Sequence, residues 1–253
     1  MESHLEEKAA KLRQTLGLES GTELLSPETA KAELPPSSVT ERLDHFHIEW
    51  YIIPSAEAVP LDDAYIARFY PMARREFTHG REHAPSYRKI ITKGHRQHQG
   101  HIIGVETTEK PCYLPGNRQF YGTRYGFDAG ADPFAPYIGR AGMTNATRYA
   151  HNYPSLREFV RVVNEDWRAR DLLPKNYRLT ICPPAVFNFI GTIFHPEWSD
   201  TETLELGFYR DERGNAICFA VGCNGPRDFS YVNEIELETD WTLLGFRTAL
   251  VPE

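Results

Sequence analysis

The chain has 253 residues, of which 41% are hydrophobic and 25% are charged, and its formal net charge at pH 7 is −7. This composition is typical of a globular protein that can bury a large core. No apolar run approaches the roughly 20 residues that a membrane-spanning helix needs, and the N-terminus has no apolar signal region. The negative charge disfavours nonspecific nucleic-acid binding. We therefore expect a cytoplasmic protein with no membrane partner, for which nucleic acid is an unfavoured ligand.

The first 40 residues predict a helix followed by a linker arm, and residues 41–253 predict a single globular domain. Apolar residues recur at helical spacing between residues 3 and 17, and Gly17 is a plausible stop. The segment from Leu18 to Ser38 contains mainly small and polar residues with several prolines, a composition typical of linkers. The helix could pack on its own chain or dock on a second subunit, so a homo-oligomer joined through this arm is one hypothesis.

Residues 40–54 alternate apolar and polar side chains, as a half-buried strand does. On that reading His45, His47 and Glu49 share one face, and residues two apart on a strand present adjacent ligands to a metal ion. A third imidazole could come from His95, His98 or His101. The sequence therefore allows a divalent transition metal held by His45, His47, Glu49 and His101.

Positive charge concentrates in the middle of the chain. Residues 74–148 hold 12 of the 28 Lys and Arg but only 6 of the 35 Asp and Glu, so their formal charge is +6 while the remainder carries −13. Five of the ten histidines lie between His79 and His101 in the same region. Such a region favours a face or cleft that attracts anions.

The text from Arg88 to Glu106 predicts two strands bent at GHRQHQG, because glycines interrupt any helix. On a strand His95 and His101 would face one way and His98 the other. Histidine titrates near neutral pH and suits acid–base catalysis. We predict His98, His101, Glu106 and Tyr121 as catalytic residues.

Residues 112–142 are rich in Gly, Pro, Arg and aromatic residues and predict a long binding loop. Arginine forks grip carboxylates and aromatic faces stack on rings. The predicted substrate-binding residues are Arg81, Arg96, Arg118, Arg124, Tyr125 and Arg140.

Ser155 and Glu158 form a capping-box pattern that begins a strongly amphipathic helix. After it the text predicts six successive strands, the second of which is AVFNFIGTIF. The predicted fold class is α+β, with an antiparallel, curved sheet or partial barrel in the C-terminal half packed against a few helices.

Familiar catalytic motifs are missing from the sequence: it has no GxSxG, GxxxxGK[ST] or GxGxxG pattern. Part of the segment from His195 to Asp228 resembles the metal-binding segment of the fumarylacetoacetate hydrolase family, since Glu205 and the Arg-Asp pair stand in matching places. Thr203 and Asn224 occupy positions where acids would be expected, and only 25 residues follow Asp228. We assign no family from this resemblance.

We predict that the protein is an enzyme that acts on a small anionic metabolite. The metabolite would bear a carboxylate, and an aromatic ring is one option for the rest of it. Its chemistry would be His/carboxylate acid–base or metal-assisted, and lyase, isomerase, hydrolase and non-haem metal reactions are not distinguished by the sequence. The alternative is a noncatalytic ligand-binding or subunit-interaction protein. An enzyme should bring a histidine and an acid into one enclosed pocket.

Overall fold

The computed structural model describes residues 2–62, 65, 93–108, 112–114, 118–120, 132–143, 148, 151–200, 204–210, 213–222, 231–238 and 244–253. Helices pack against two open four-stranded sheets, and a further pair of short strands forms a separate two-stranded sheet. The predicted α+β class is confirmed, and the described sheets do not close into a barrel. Within these residues no helix is long and apolar enough to cross a membrane.

The described helices are α1 (Glu2–Leu16), α2 (Pro27–Glu33), α3 (Ser37–Leu43), α4 (Ala135–Arg140), α5 (Tyr153–Ala169) and α6 (Pro184–Ile193). Two 3-10 turns span Asp44–Phe46 and Pro196–Asp200. The strands are β1 (Ile48–Ile53), β2 (His101–Glu106), β3 (Cys112–Leu114), β4 (Arg118–Phe120), β5 (Tyr177–Ile181), β6 (Leu204–Arg210), β7 (Ala216–Gly222), β8 (Tyr231–Ile235), β9 (Leu244–Phe246) and β10 (Thr248–Pro252).

The first sheet has the order β1-β2-β10-β5 and is antiparallel throughout, with Tyr51 opposite Ile103. The second has the order β8-β7-β6-β9, in which β6 and β9 are parallel and the other pairs antiparallel. The chain passes from one sheet to the other between β9 and β10, at Arg247. Its guanidinium pairs with the buried Glu205 at 3.0 Å and donates to the backbone oxygen of Glu106. A buried ion pair therefore lies at the junction between the sheets.

Apolar side chains cover both faces of the first sheet. One face, which includes Tyr51 and Ile103, packs in a core with α1 and α6. The other, which includes Trp50 and Ile102, packs in a second core with α4 and α5. Because both faces are buried, the central strand β2 is an almost continuous apolar run.

The predicted N-terminal helix is confirmed as α1. Leu12 is only 1% exposed, and the Lys8 ammonium donates to the backbone oxygen of Trp50 on β1. Gly17, with φ of 73°, adopts the left-handed conformation that commonly ends helices. The segment predicted as a linker contains α2 and the first residues of α3. Helix α1 thus packs on its own chain, whereas an oligomer through this arm stays a prediction.

The amphipathic helix predicted near Ser155 is confirmed as α5, but its predicted cap is wrong. The residue before the helix, Asn152, accepts the backbone N–H of Ser155 through its side-chain oxygen at 3.0 Å. Glu158 pairs with Arg161 instead of turning back to the helix start. Leu156 is among the buried residues of the apolar stripe.

The segment AVFNFIGTIF, residues 185–194, was predicted as a strand, and that prediction was wrong because all but its last residue belong to helix α6. Nearly the whole helix is buried. A segment buried all round has no polar face, so periodicity cannot distinguish a short helix from a strand. Pro184 fits at the first helical position, where its missing N–H costs nothing.

Two predicted strands were also wrong in part. Residues before Ile48 form α3 and a 3-10 turn, and His47 ends that turn in the left-handed conformation with φ of 54°. The GHRQHQG text is a helical turn, because Gln97 N–H donates to the Lys93 oxygen at 3.1 Å. Within the described part of these two regions, only β1 and β2 are strands, and the strand predicted at residues 89–92 lies outside the described residues.

Candidate active site

A groove of about 790 Å³ lies where β5, β6 and β10 meet the start of α5. Its lining includes His98, His101, Arg157, Arg178 and Tyr209. We call it the His101 groove. Two of the four predicted catalytic residues line it, and they come from the helical turn before β2 and from the first residue of β2.

Glu33, the last residue of α2, fixes His101 at the groove. Its Oε1 lies 2.6 Å from His101 Nδ1, and its Oε2 accepts the backbone N–H of Ile102 at 2.7 Å. That N–H lacks a strand partner because β10 pairs only with residues nearer the other end of β2. The Tyr177 hydroxyl likewise donates to the Ile102 backbone oxygen at 2.7 Å. The Glu33 carboxylate therefore has two roles. It accepts the backbone N–H of Ile102, which has no strand partner, and it orients the His101 imidazole.

The carboxylate also sets the charge of the imidazole. The hydrogen bond that the Glu33 carboxylate accepts raises the pKa of His101, and partial burial opposes this effect only in part. The His101 side chain keeps 36% of its exposure, whereas Glu33 keeps 11%. Among the described residues nothing hydrogen-bonds to His101 Nε2. The imidazole is thus held at one nitrogen by a carboxylate that favours its protonated form, and its other nitrogen makes no hydrogen bond within the described residues.

His98 is the opposite case. Burial lowers its pKa to about 4, and the charges of His101 and Arg178 act in the same direction. A neutral imidazole therefore lies beside a more basic one. Neighbouring titratable groups whose pKa values are pushed apart are a frequent feature of acid–base sites.

Close packing holds this turn against the groove. A Cβ atom on Gly94 would lie 2.1 Å from the Tyr209 ring. Tyr209 is buried, and its hydroxyl accepts the backbone N–H of Ala185 at 2.7 Å. Only glycine permits this contact without displacement of the ring, so Gly94 lets the turn that carries His98 pack directly against Tyr209.

Two arginines give the groove uncompensated positive charge. Arg157 on α5 and Arg178 on β5 are exposed, and neither has a carboxylate partner in the part of the chain that the structure describes. Arg161, which also lines the groove, is compensated by Glu158 and Glu165. Guanidinium groups bind carboxylates and phosphates in two-point contacts. Two guanidinium groups capable of such contacts thus line the groove.

Glu106, predicted as a catalytic acid, lies elsewhere. It is fully buried, and its carboxylate pairs with Arg148 at 2.8 Å and accepts from the Thr248 hydroxyl at 2.8 Å. Arg148 is also fully buried and pairs with Asp132 at 2.6 Å. These contacts satisfy Glu106 within the core, and it does not line the His101 groove.

Of the predicted substrate-binding residues, only Arg96 and Arg140 have described side chains, and neither lines this groove. Arg140 is on the surface, where it pairs with Asp166 at 3.0 Å, and Arg96 is exposed but is not part of the lining. Arg118 lies on β4, and its side chain is not described. The remaining predicted residues fall outside the described part of the chain: Arg81, Tyr121, Arg124 and Tyr125.

The predicted metal ligands are likewise not brought together. His45 and His47 lie before β1 rather than on it, and both are exposed. Glu49 is paired with Lys8, and His101 with Glu33. The described residues contain no group of three or more His, Cys, Asp or Glu arranged to hold a metal ion. The side-by-side strand geometry on which the metal hypothesis depended is absent at His45 and His47.

Sequence reasoning missed three residues of this site: Glu33, Arg157 and Arg178. Glu33 is separated from His101 by 68 positions and carries no motif. The two arginines lie outside the basic region that drew attention. The pairing of β5 with β10 and the packing of α5 bring the two arginines to the histidines, and neither contact can be predicted from the local sequence.

The chain was compared with protein-family models, curated proteins and solved structures, and it matches none of them.

Proposed function

We propose that this protein is an enzyme for a small anionic metabolite, which it binds in the His101 groove. The observation that carries the proposal is that His101, which is paired with Glu33, lines a groove together with Arg157 and Arg178. A histidine, an acid and uncompensated guanidinium groups at one concave site are the combination expected of acid–base chemistry on a carboxylate. The proposal supposes no metal.

In the proposed mechanism Arg157 and Arg178 hold the anionic group, and His101 moves the proton. Glu33 accepts a hydrogen bond from His101 Nδ1, which leaves Nε2 to donate a proton to the substrate or remove one from it. The same carboxylate stabilises the imidazolium that forms when His101 acts as a base. His98, neutral because of its burial, supplies a hydrogen-bonding group beside it.

The test is substrate depletion from a defined mixture of small carboxylic and phosphorylated acids, followed by mass spectrometry. The proposal predicts that one component is consumed by the wild type, that H101Q stops consumption but still binds the compound, and that R178Q weakens binding. The exposed Arg96, which is not in the lining, provides the matched control R96Q. Consumption that survives H101Q would overturn the catalytic role.

The alternative is a noncatalytic protein that binds the anion with the same two arginines. It is favoured by the same uncompensated guanidinium charge, which binds an anion with or without chemistry. Binding that depends on Arg178, together with no consumption of any bound compound by the wild type, would select it.

We also propose a cytoplasmic location. Cys182 and Cys218 are both buried and both free. Free thiols are typical of proteins in reducing compartments.

A further inference from the structure

A second polar cluster includes Glu49 and Tyr51 of β1, shares no residue with the lining of the His101 groove, and is independent of the proposed function. It is a continuous chain of hydrogen bonds between side chains. Lys8 Nζ lies 2.6 Å from Glu49 Oε2, the Tyr51 hydroxyl donates to the same oxygen at 3.0 Å, and His195 Nε2 lies 2.5 Å from that hydroxyl. His195 Nδ1 then meets Glu197 at 2.7 Å. Five titratable side chains thus share one network.

One end of this network opens into a groove of about 440 Å³ between α1, α3 and β1. Lys8 and Glu49 line it together with the apolar side chains of Leu5, Ile48 and Trp50. We call it the Lys8 groove. The Lys8 side chain is 20% exposed, and its ammonium lies 3.8 Å from the centre of the Tyr51 ring. An amine is therefore held between a carboxylate and an aromatic face at the wall of an apolar groove.

The same environment favours the neutral form of the amine. Burial lowers the pKa of Lys8, and the hydrogen bond and charge of Glu49 offset only part of that effect. For Glu49, burial alone would raise the pKa, but the hydrogen bonds from Lys8 and Tyr51 outweigh it and lower the pKa. A lysine with a lowered pKa beside a proton acceptor is the arrangement that activates an amine nucleophile.

We propose that Lys8 is a reactive amine that forms an imine with a neutral aldehyde or ketone bound in the Lys8 groove. The carbonyl compound should be uncharged because Glu41, Asp44 and Glu49 line the groove and give it negative charge. Leu5, Ile48 and Trp50 would contact its apolar or aromatic part.

The step balances without an oxidant or a metal. Glu49 Oε2 takes a proton from the Lys8 ammonium, the nitrogen lone pair forms a bond to the carbonyl carbon, and the π electrons move to the carbonyl oxygen. That oxygen collects a proton from Glu49 and, through Glu49, one from the nitrogen, and it leaves as water when the carbon–nitrogen double bond forms. One carbonyl compound and one ammonium thus give one iminium ion and one water. Tyr51 is a positioning residue that holds Glu49 in place.

The experiment is reductive trapping with benzaldehyde and cyanoborohydride, which delivers hydride to the imine carbon and leaves a stable benzyl amine. The full-length protein is labelled to less than one adduct per chain, digested, and analysed by mass spectrometry for the label at each lysine. Lys11, exposed on the same helix, is the internal reference. The proposal predicts labelling of Lys8 at least about tenfold faster than Lys11, a small part of what a positioned acid–base group supplies.

Three further results decide the proposal. Labelling of Lys8 should saturate with benzaldehyde while that of Lys11 rises linearly, and the preference for Lys8 should fall with the anionic 4-carboxybenzaldehyde. The E49D variant keeps the negative charge but moves the carboxylate away from the amine, so it should slow the labelling of Lys8. The D44E variant, in the same groove, should not slow it. Labelling of Lys8 no faster than Lys11, an unchanged preference with the anionic aldehyde, or a rate unaffected by E49D would each overturn it.

Discussion

Glu33 and His101 are 68 residues apart in sequence, yet their side chains meet at 2.6 Å where α2 ends beside the first residue of β2. Glu33 is needed there because β2 extends past its neighbour β10 and leaves the Ile102 N–H unpaired. The carboxylate that completes the sheet thereby orients the imidazole. Both the pairing of the Ile102 N–H and the orientation of His101 in the proposed active site therefore depend on Glu33.

Replacing Glu33 with glutamine should lower the pKa of His101. The amide of the E33Q variant can still accept the Ile102 N–H, but the substitution removes the negative charge that stabilises the imidazolium. Titration of the imidazole resonances by NMR measures this directly. If the pKa of His101 in E33Q equals that in the wild type, the pair does not set the charge of His101.

The two groove histidines should give the stability opposite dependences on pH. The folded pKa of His98 is about 4, below the ordinary value of about 6.5, so the unfolded chain binds more protons between these values and stability is lost as pH falls through them. The folded pKa of His101 is raised, so its contribution is present below about pH 6.5 and is lost as pH rises through the folded pKa.

Unfolding by urea at several pH values separates these effects. The free energy of unfolding of H98Q, taken relative to that of the wild type, should be higher at pH 4.5 than at pH 8. H101Q should show its largest loss at the lower pH. Two variants with the same pH dependence would contradict the assignment of opposite shifts.

The buried arginine at position 148 should be essential for stability. Arg148→Met removes the guanidinium that pairs with the buried carboxylates of Glu106 and Asp132, and loss of one partner of a buried ion pair costs about 3–5 kcal/mol. E165Q, which removes a partner of the exposed Arg161, should change the free energy of unfolding by less than about 0.5 kcal/mol. Equal effects of the two variants in urea unfolding would refute this account of the core.

Gly94 should tolerate no side chain. The Cβ of G94A would lie 2.1 Å from the Tyr209 ring, and overpacking of this kind costs about 1–3 kcal/mol. G139A is the matched control, because nothing lies within 4 Å of a Cβ at that position on α4. Thermal unfolding should show a lower Tm for G94A than for G139A, and a G94A protein as stable as the wild type would mean that Tyr209 moves freely.

The sequence predicted the α+β class, helix α1 and strands β5 to β8 because their periodicity or strand-forming composition is local. Strands β9 and β10 were predicted as one strand, although they belong to different sheets, and α2 was predicted as part of a linker. Helix α6 was misassigned because a fully buried segment carries no periodic polar face. The region before Ile48 was misassigned because its alternation also fits a short helix and a turn.

The candidate site was only half predictable for a related reason. His98 and His101 were found from composition, but their partners come from α2, α5 and β5. Glu33 is recognisable only once β2 is known to extend beyond β10, and Arg178 only once β5 is known to pair with β10. Register and strand order are long-range properties, and a single sequence does not encode them locally.

The most direct test of the anion site is an NMR titration of the histidine side chains with inorganic phosphate, citrate, phthalate and benzoate at constant ionic strength. The account predicts that at least one anion shifts the imidazole resonances of His98 and His101 in a saturable way, leaves those of the exposed His45 in place, and loses this effect in R178Q. Resonances of His98 and His101 that do not respond to any of the anions, or that move no more than those of His45, would contradict it.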